Sequence, residues 1–134
     1  MTARRHDWQT RFAAFAFERA VRPFDWGHND CCLFAADAVL ALTGEDFARD
    51  WRGSYATAAA AARLLSQRGG LQQIASDALG AAISPLMAGV GDVVLVENAG
   101  RELLAVCNGT SVICPGEAGL VVLGMDAATA AWRV

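Results

Sequence analysis

The sequence contains no lysine: its eleven basic residues are all arginine, set against fourteen acidic residues and two histidines. A formal charge of −3 and a pI near 5.2 give no electrostatic reason to expect nucleic acid or an anionic membrane surface as a partner. No run approaches 18 continuous apolar residues, so no segment reads as a membrane-spanning helix. A secretory leader is not expected either. Arg4 and Arg5 are followed by Asp7, Gln9, Arg11 and Glu18, which interrupt any apolar run and leave an amphipathic helix. The chain is therefore expected to be cytoplasmic when made. Its four cysteines, at 31, 32, 107 and 114, do not form a disulfide framework by spacing, and reduced thiols are expected. Neighbouring Cys31 and Cys32 have poor geometry for joint ligation, and Cys107 and Cys114 lack zinc-site spacing, so no metal or other cofactor is expected. The abundance of Ala, Arg and Gly fits the coding bias of a GC-rich genome, which bears on origin and not on mechanism.

What is present is ample apolar material: 54% hydrophobic residues against 19% charged, over 134 residues. That suffices for one core. No repeat or linker divides the chain, so a single domain over residues 1–134 is expected. The most informative stretch runs from Pro23 to Gly44. Pro23 ends whatever precedes it. Trp26 and Gly27 make a turn, and Asp30 is placed to accept from the free N–H groups of a following helix as its N-cap. Phe34, Ala35, Ala38, Val39 and Leu42 then recur at helical spacing, and Gly44 stands where a left-handed C-cap would. Cys31 falls at the first helical position, where the helix dipole favours a thiolate.

Around this stretch the pattern predicts a helix over 5–22, with Trp8, Phe12 and Phe15 on one stripe and Ala13, Phe17 and Val21 beside it. A short helical turn is expected over Glu45–Gly53, a helix over Thr57–Arg68, and another over Leu71–Leu79. The helical half closes near residue 80. From about 83 the period changes to that of an antiparallel meander, with strands at 92–97, 102–108, 111–114, 120–123 and a short last one at 132–134. Asn108-Gly109 is the strongest hairpin signal. Helices first and strands after is an α+β order. Leu71, Leu79, Leu86 and Met87 are either part of an exposed apolar interface or buried.

Pro23-Phe24-Asp25-Trp26-Gly27, followed closely by Asp30-Cys31, resembles the Pro-Tyr-x-Trp-Gly…Asp-Cys-Ser-Gly signature of the NlpC/P60 cell-wall peptidases. Gly91-Asp92-Val93-Val94-Leu95 resembles the Gly-Asp-Leu-Val-Phe strand of that family. Leu103-Leu104-Ala105-Val106-Cys107-Asn108-Gly109 aligns with its His-Val-Gly-Ile-Tyr-x-Gly strand. Gly119-Leu120 and Ala131-Trp132-Arg133 add a likeness to a compact, phage- and prophage-encoded branch found among tail genes. The resemblance covers residues 23–134. It implies an α+β, papain-like domain of NlpC/P60 type, with N-terminal helices packed on a C-terminal antiparallel sheet. The implied partners are phage tail proteins or peptidoglycan peptides, with incorporation into a phage particle. Three positions depart from the family: Leu103 stands at the catalytic histidine, Phe24 at a tyrosine, and Leu33 at the glycine two residues after the cysteine.

A cysteine peptidase needs a thiolate, a base, a group that orients the base, and donors for the oxyanion. Cys31 occupies the nucleophile position; the alternative is a small buried hydrophobe kept from a catalytic ancestor. His28, three residues upstream, is the one histidine near enough to act as base, or it is a solvated turn residue. Asp30 is the helix cap, and Phe24, Trp26, Leu103 and Cys114 are assigned to a pocket beside the thiol. Trp51 and Tyr55 either line that groove with Trp26 or belong to the core. Asp37 is expected to pair with an arginine, and Asp92 to hold the turn into its strand. Two functions follow. In the first the fold is kept for tail assembly or binding and hydrolysis is lost. In the second an active thiol hydrolase cleaves peptidoglycan stem peptides, with Cys31 as nucleophile.

Overall fold

In the computed structural model, which describes residues 3–134, the helices come first and the strands after, an α+β arrangement. Helix α1 (Trp8–Arg19) buries Phe12 and Phe15. It is shorter than the periodicity predicts, and Phe17 and Val21 stand 85% and 83% exposed. The apolar stripe is one-sided, and only its Trp8–Phe12–Phe15 edge meets the core. Helix α2 (Cys31–Thr43) is apolar on nearly every side, from Cys32 to Leu42, as befits a helix enclosed by its neighbours. Its ends are both satisfied. The Asp30 carboxylate accepts from the Leu33 N–H at 3.0 Å, and Gly44, at φ 84°, turns its own N–H onto the Leu40 carbonyl at 2.8 Å. Helix α3 (Ala58–Gln67) starts on the Thr57 hydroxyl, which accepts from Ala60. Helix α4 (Leu71–Leu79) turns Leu71, Ile74, Ala75 and Leu79 inward, which leaves Leu86 and Met87 as the exposed members of the expected apolar group.

Residues 45–53 make the expected short helical turn, with the Arg52 N–H on the Ala48 carbonyl at 2.7 Å, and it does not lengthen into a helix. Asp46 takes the Ala48 N–H and the Arg52 guanidinium, and Trp51 is buried. Local side-chain acceptors of this kind compete with helical hydrogen bonding.

Strands β1 (Val93–Asn98), β2 (Arg101–Cys107), β3 (Ser111–Gly116), β4 (Gly119–Gly124) and β5 (Ala128–Trp132) build one antiparallel sheet in the order β4-β3-β2-β1-β5. The first four form the expected meander. The last strand lies earlier than predicted, at 128–132, and does not extend the meander: it returns to the free side of β1, pairing Val93 with Trp132. The reason is visible in β1 itself. Val93, Val94, Leu95 and Val96 are all fully buried, and a strand apolar on both faces is satisfied in the middle of a sheet and not at its edge. One face of the sheet carries Val93, Leu95, Leu104, Val106, Ile113 and Trp132 against the helices. The other carries Val94, Val96, Ala105, Cys107, Val112 and Cys114 beneath Ile83, Ala88 and Met125.

Arginine forks bind the layers. Asp37 of α2 is held by Arg19 of α1 and by Arg52 of the 45–53 turns, each at 2.7 Å, and Arg52 also grips Asp46. Asp92, at the start of β1, accepts from Arg4 and from the Val134 N–H at 2.9 Å each, and from Gly89 at 2.9 Å. Asp37→Asn removes the carboxylate that two guanidinium groups share. We expect a loss of about 1 kcal/mol, because the network is only partly buried, Arg19 keeps Glu18 and Arg52 keeps Asp46. Urea denaturation of the two proteins measures it.

Candidate functional site

The site is built on the turn that precedes α2. Asp30 is 1% exposed, and its carboxylate accepts from three segments: the Leu33 N–H at 3.0 Å, the Gly27 N–H at 3.0 Å and the Tyr55 hydroxyl at 2.5 Å. Gly27 is required here. Its φ is 81°, and a Cβ would meet the Tyr55 carbonyl oxygen at 2.2 Å. Burial and the Asp30 carboxylate push the Tyr55 phenol far above its usual ionisation range, so it remains a donor. Asn29, also buried, donates to the Arg22 and Pro23 carbonyls and accepts from Arg19, which anchors the loop to α1. Sequence reasoning passed over Asn29. The available signal was a polar pair, Asn29-Asp30, set directly before an apolar helix.

Cys31 opens α2 and is partly accessible as a residue. Its thiol, however, is pushed up from 9.0 to about 11, first by burial; the Asp30 charge and Cys114 raise it further, while the Leu104 N–H facing the sulfur lowers it. The expectation of a dipole-stabilised thiolate is therefore overturned, because desolvation outweighs the helix terminus. Cys32, behind it, is buried and shifted well upward by the same cause. The Leu104 N–H is free to face the sulfur because the sheet opens there. The β2–β3 ladder holds only Val106↔Ile113 and Cys107↔Val112, and continued register would set Leu104 against Pro115, which has no N–H.

A cavity of about 70 Å³ lies beside the thiol, bordered by Phe24, Trp26, Cys31, Tyr55, Leu65 and Leu103 among others. Phe24 and Trp26 meet edge to face at 4.8 Å. Three of the four pocket residues named from the sequence are on its lining. Cys114 is not. It is buried with the cluster on the second face of the sheet, because its β3 position points away from the helices. Leu103 packs toward that same face while bordering the cavity. His28 does not reach Cys31 and is not on the lining. Its side chain is 67% exposed and its Nδ1 lies 3.2 Å from the Asp25 carboxylate, since the turn over 25–29 directs it outward. Among the described residues, the thiol thus has no histidine beside it. At pH 7 a value of about 11 leaves roughly one thiolate in ten thousand.

Among the described residues, no three His, Cys, Asp or Glu side chains come together in an arrangement that holds a metal ion. Among the same residues, no helix is long and apolar enough to cross a membrane.

Fold and site together define an α+β domain with a shielded thiol at the start of its central helix. The chain belongs to the DUF6950 family, described as a domain of unknown function, whose model matches residues 3–134. No curated protein and no solved structure matches the chain.

Two measurements check this electrostatic account. With the other three cysteines as serine, iodoacetamide labelling of Cys31 stays slow at pH 7–9 and steepens only as pH approaches 11; fast labelling near pH 7 contradicts it. The folded value lies above the unfolded one, so this thiol contributes stability below about pH 9 that is lost as pH rises toward 11. Separately, Tyr55→Phe removes a donor from a buried carboxylate and lowers unfolding stability by about 2 kcal/mol in chemical denaturation.

Proposed function

We propose that this chain is a papain-like, NlpC/P60-type domain of phage or prophage origin that has lost hydrolysis and serves as a binding component in tail assembly. The observation that carries the reading is a thiol without a base. Leu103 stands where the resembled family places its histidine, and His28 is turned out onto Asp25. The raised thiol ionisation supports the same reading, since the thiolate and not the thiol is the nucleophile. Resemblance along residues 23–134 supports the tail context.

One observation favours the alternative of an active peptidoglycan hydrolase. Cys31 keeps its partly accessible place at the start of α2, with the Leu104 N–H facing the sulfur. A base supplied by a partner would then be needed.

Incubation with muropeptides separates the two. We expect no cleavage product by mass spectrometry from the wild type. We also expect Cys31→Ala to leave phage infectivity or tail assembly, and thermal stability, nearly unchanged. Cleavage that disappears in Cys31→Ala would sink the non-catalytic reading.

A further inference from the structure

The cavity beside Cys31 has polar groups in its inner wall, and most of them are already engaged with one another. The Asp30 carboxylate already accepts from three donors, the Tyr55 hydroxyl donates to Asp30, and the Cys31 thiol is protonated. The inner wall is apolar, with Phe24, Trp26, Leu64, Leu65 and Ala61, and Leu103 stands at the border; Arg101 and Glu102 supply the charged part of the lining. Its size selects among apolar groups. About 70 Å³ is several times the roughly 10–15 Å³ that one water needs, but it is less than half of the roughly 150 Å³ apolar cavity that admits benzene.

A second, independent feature lies on its rim. Cys107 exchanges hydrogen bonds on the β1 side, with the Asp92 carbonyl at 2.8 Å and the Gly91 N–H at 2.9 Å, and Asn108 bonds to Ser111 on the β3 side. Alternation along β2 therefore turns the backbone groups of Val106, Leu104 and Glu102 toward β3. Val106 meets Ile113 there, and the Leu104 N–H meets the Cys31 sulfur. Glu102 is exposed, borders the cavity, and lies beyond the end of the β2–β3 ladder. Its N–H and C=O present a short stretch of strand edge, open inside the split of the sheet.

We infer that this slot seats one aliphatic side chain, of valine or leucine size, from an extended segment of a protein partner whose backbone pairs with Glu102. The inference rests on the non-catalytic reading and names the chemistry of the partner at the same site. Main-chain hydrogen bonds to an open edge, with one side chain in an adjoining pocket, are a general mode of strand addition. The aspartate peptide in the test below asks whether Arg101, a cation on the lining, receives a carboxylate instead.

The test uses acetylated, amidated pentapeptides Ser-Ser-Xaa-Ser-Ser with Leu, Ala, Phe or Asp at the centre, titrated into the ¹⁵N-labelled full chain. The readouts are the Glu102 amide and the Trp26 indole resonances. The leucine peptide binds at least tenfold more tightly than the alanine peptide, in line with roughly fourfold for each buried methylene. The phenylalanine and aspartate peptides shift neither resonance. Ala61→Leu, which fills the slot from α3, removes the preference for leucine. Glu102→Pro weakens the leucine peptide at least fivefold where Glu102→Ala does not, and this pair keeps the test decisive if Ala61→Leu fails to fold. Phenylalanine binding as well as leucine, leucine binding no better than alanine, or a muramyl tripeptide moving the same resonances overturns the inference. If no peptide binds and muropeptides stay intact, the inference fails while the non-catalytic reading stands. Cleavage of muropeptides overturns that reading itself.

Discussion

The Asp30 carboxylate is the interaction on which the rest of the site depends. A carboxylate withdrawn from water is costly unless every charge-bearing oxygen is matched by donors, and here three are supplied. Each comes from a different part of the chain: the loop before α2, the first turn of α2, and the segment that leads into α3. One side chain thereby sets the start of the central helix, the path of the Pro23–Asn29 loop and the depth of Tyr55. Those three settings position Phe24, Trp26 and Cys31 around the cavity. Gly27 completes the arrangement, because only a residue without Cβ lets the loop lie against the Tyr55 backbone.

The absence of lysine has a structural counterpart in how charge is used. Asp37 is gripped by two guanidinium groups from two different segments, and Asp92 gathers Arg4 together with the backbone of Gly89 and Val134. A planar fork with several fixed donors can serve three acceptors at once: Arg19 reaches Asn29, Glu18 and Asp37. Asp30 and Asp37 lie two turns apart on α2, so that helix is tied at its start by neutral donors and farther along by cations.

At the thiol two effects oppose each other, and magnitude decides. A helix N-terminus stabilises a negative charge by about 0.3–1 kcal/mol. The displacement of Cys31 from 9.0 to about 11 corresponds to about 3 kcal/mol in the other direction. Burial wins, and the same low-polarity surroundings that keep the sulfur protonated give the adjoining slot its apolar character.

What is legible in the sequence is what neighbours along the chain decide. Asp30 and Gly44 mark the two ends of α2. The α+β order follows from the change of period near residue 83, and the turn between β2 and β3 follows from Asn108-Gly109, where Gly109 stands at φ 102°. The sequence by itself determined these because a cap, a turn and an amphipathic stripe involve residues within a few positions of one another. The place of β5 beside β1, the outward turn of His28 onto Asp25, the removal of Cys114 to the far face and the protonation of Cys31 were decided by the tertiary structure alone. Apart from the His28 turn, each depends on groups brought together from distant parts of the chain: Val93 with Trp132, or the Cys31 sulfur with the Leu104 N–H. The His28 turn is local, but its consequence, a thiol left without a base, depends on where β2 places Leu103. Desolvation and sheet pairing are properties of the assembled interior, and no local pattern encodes them.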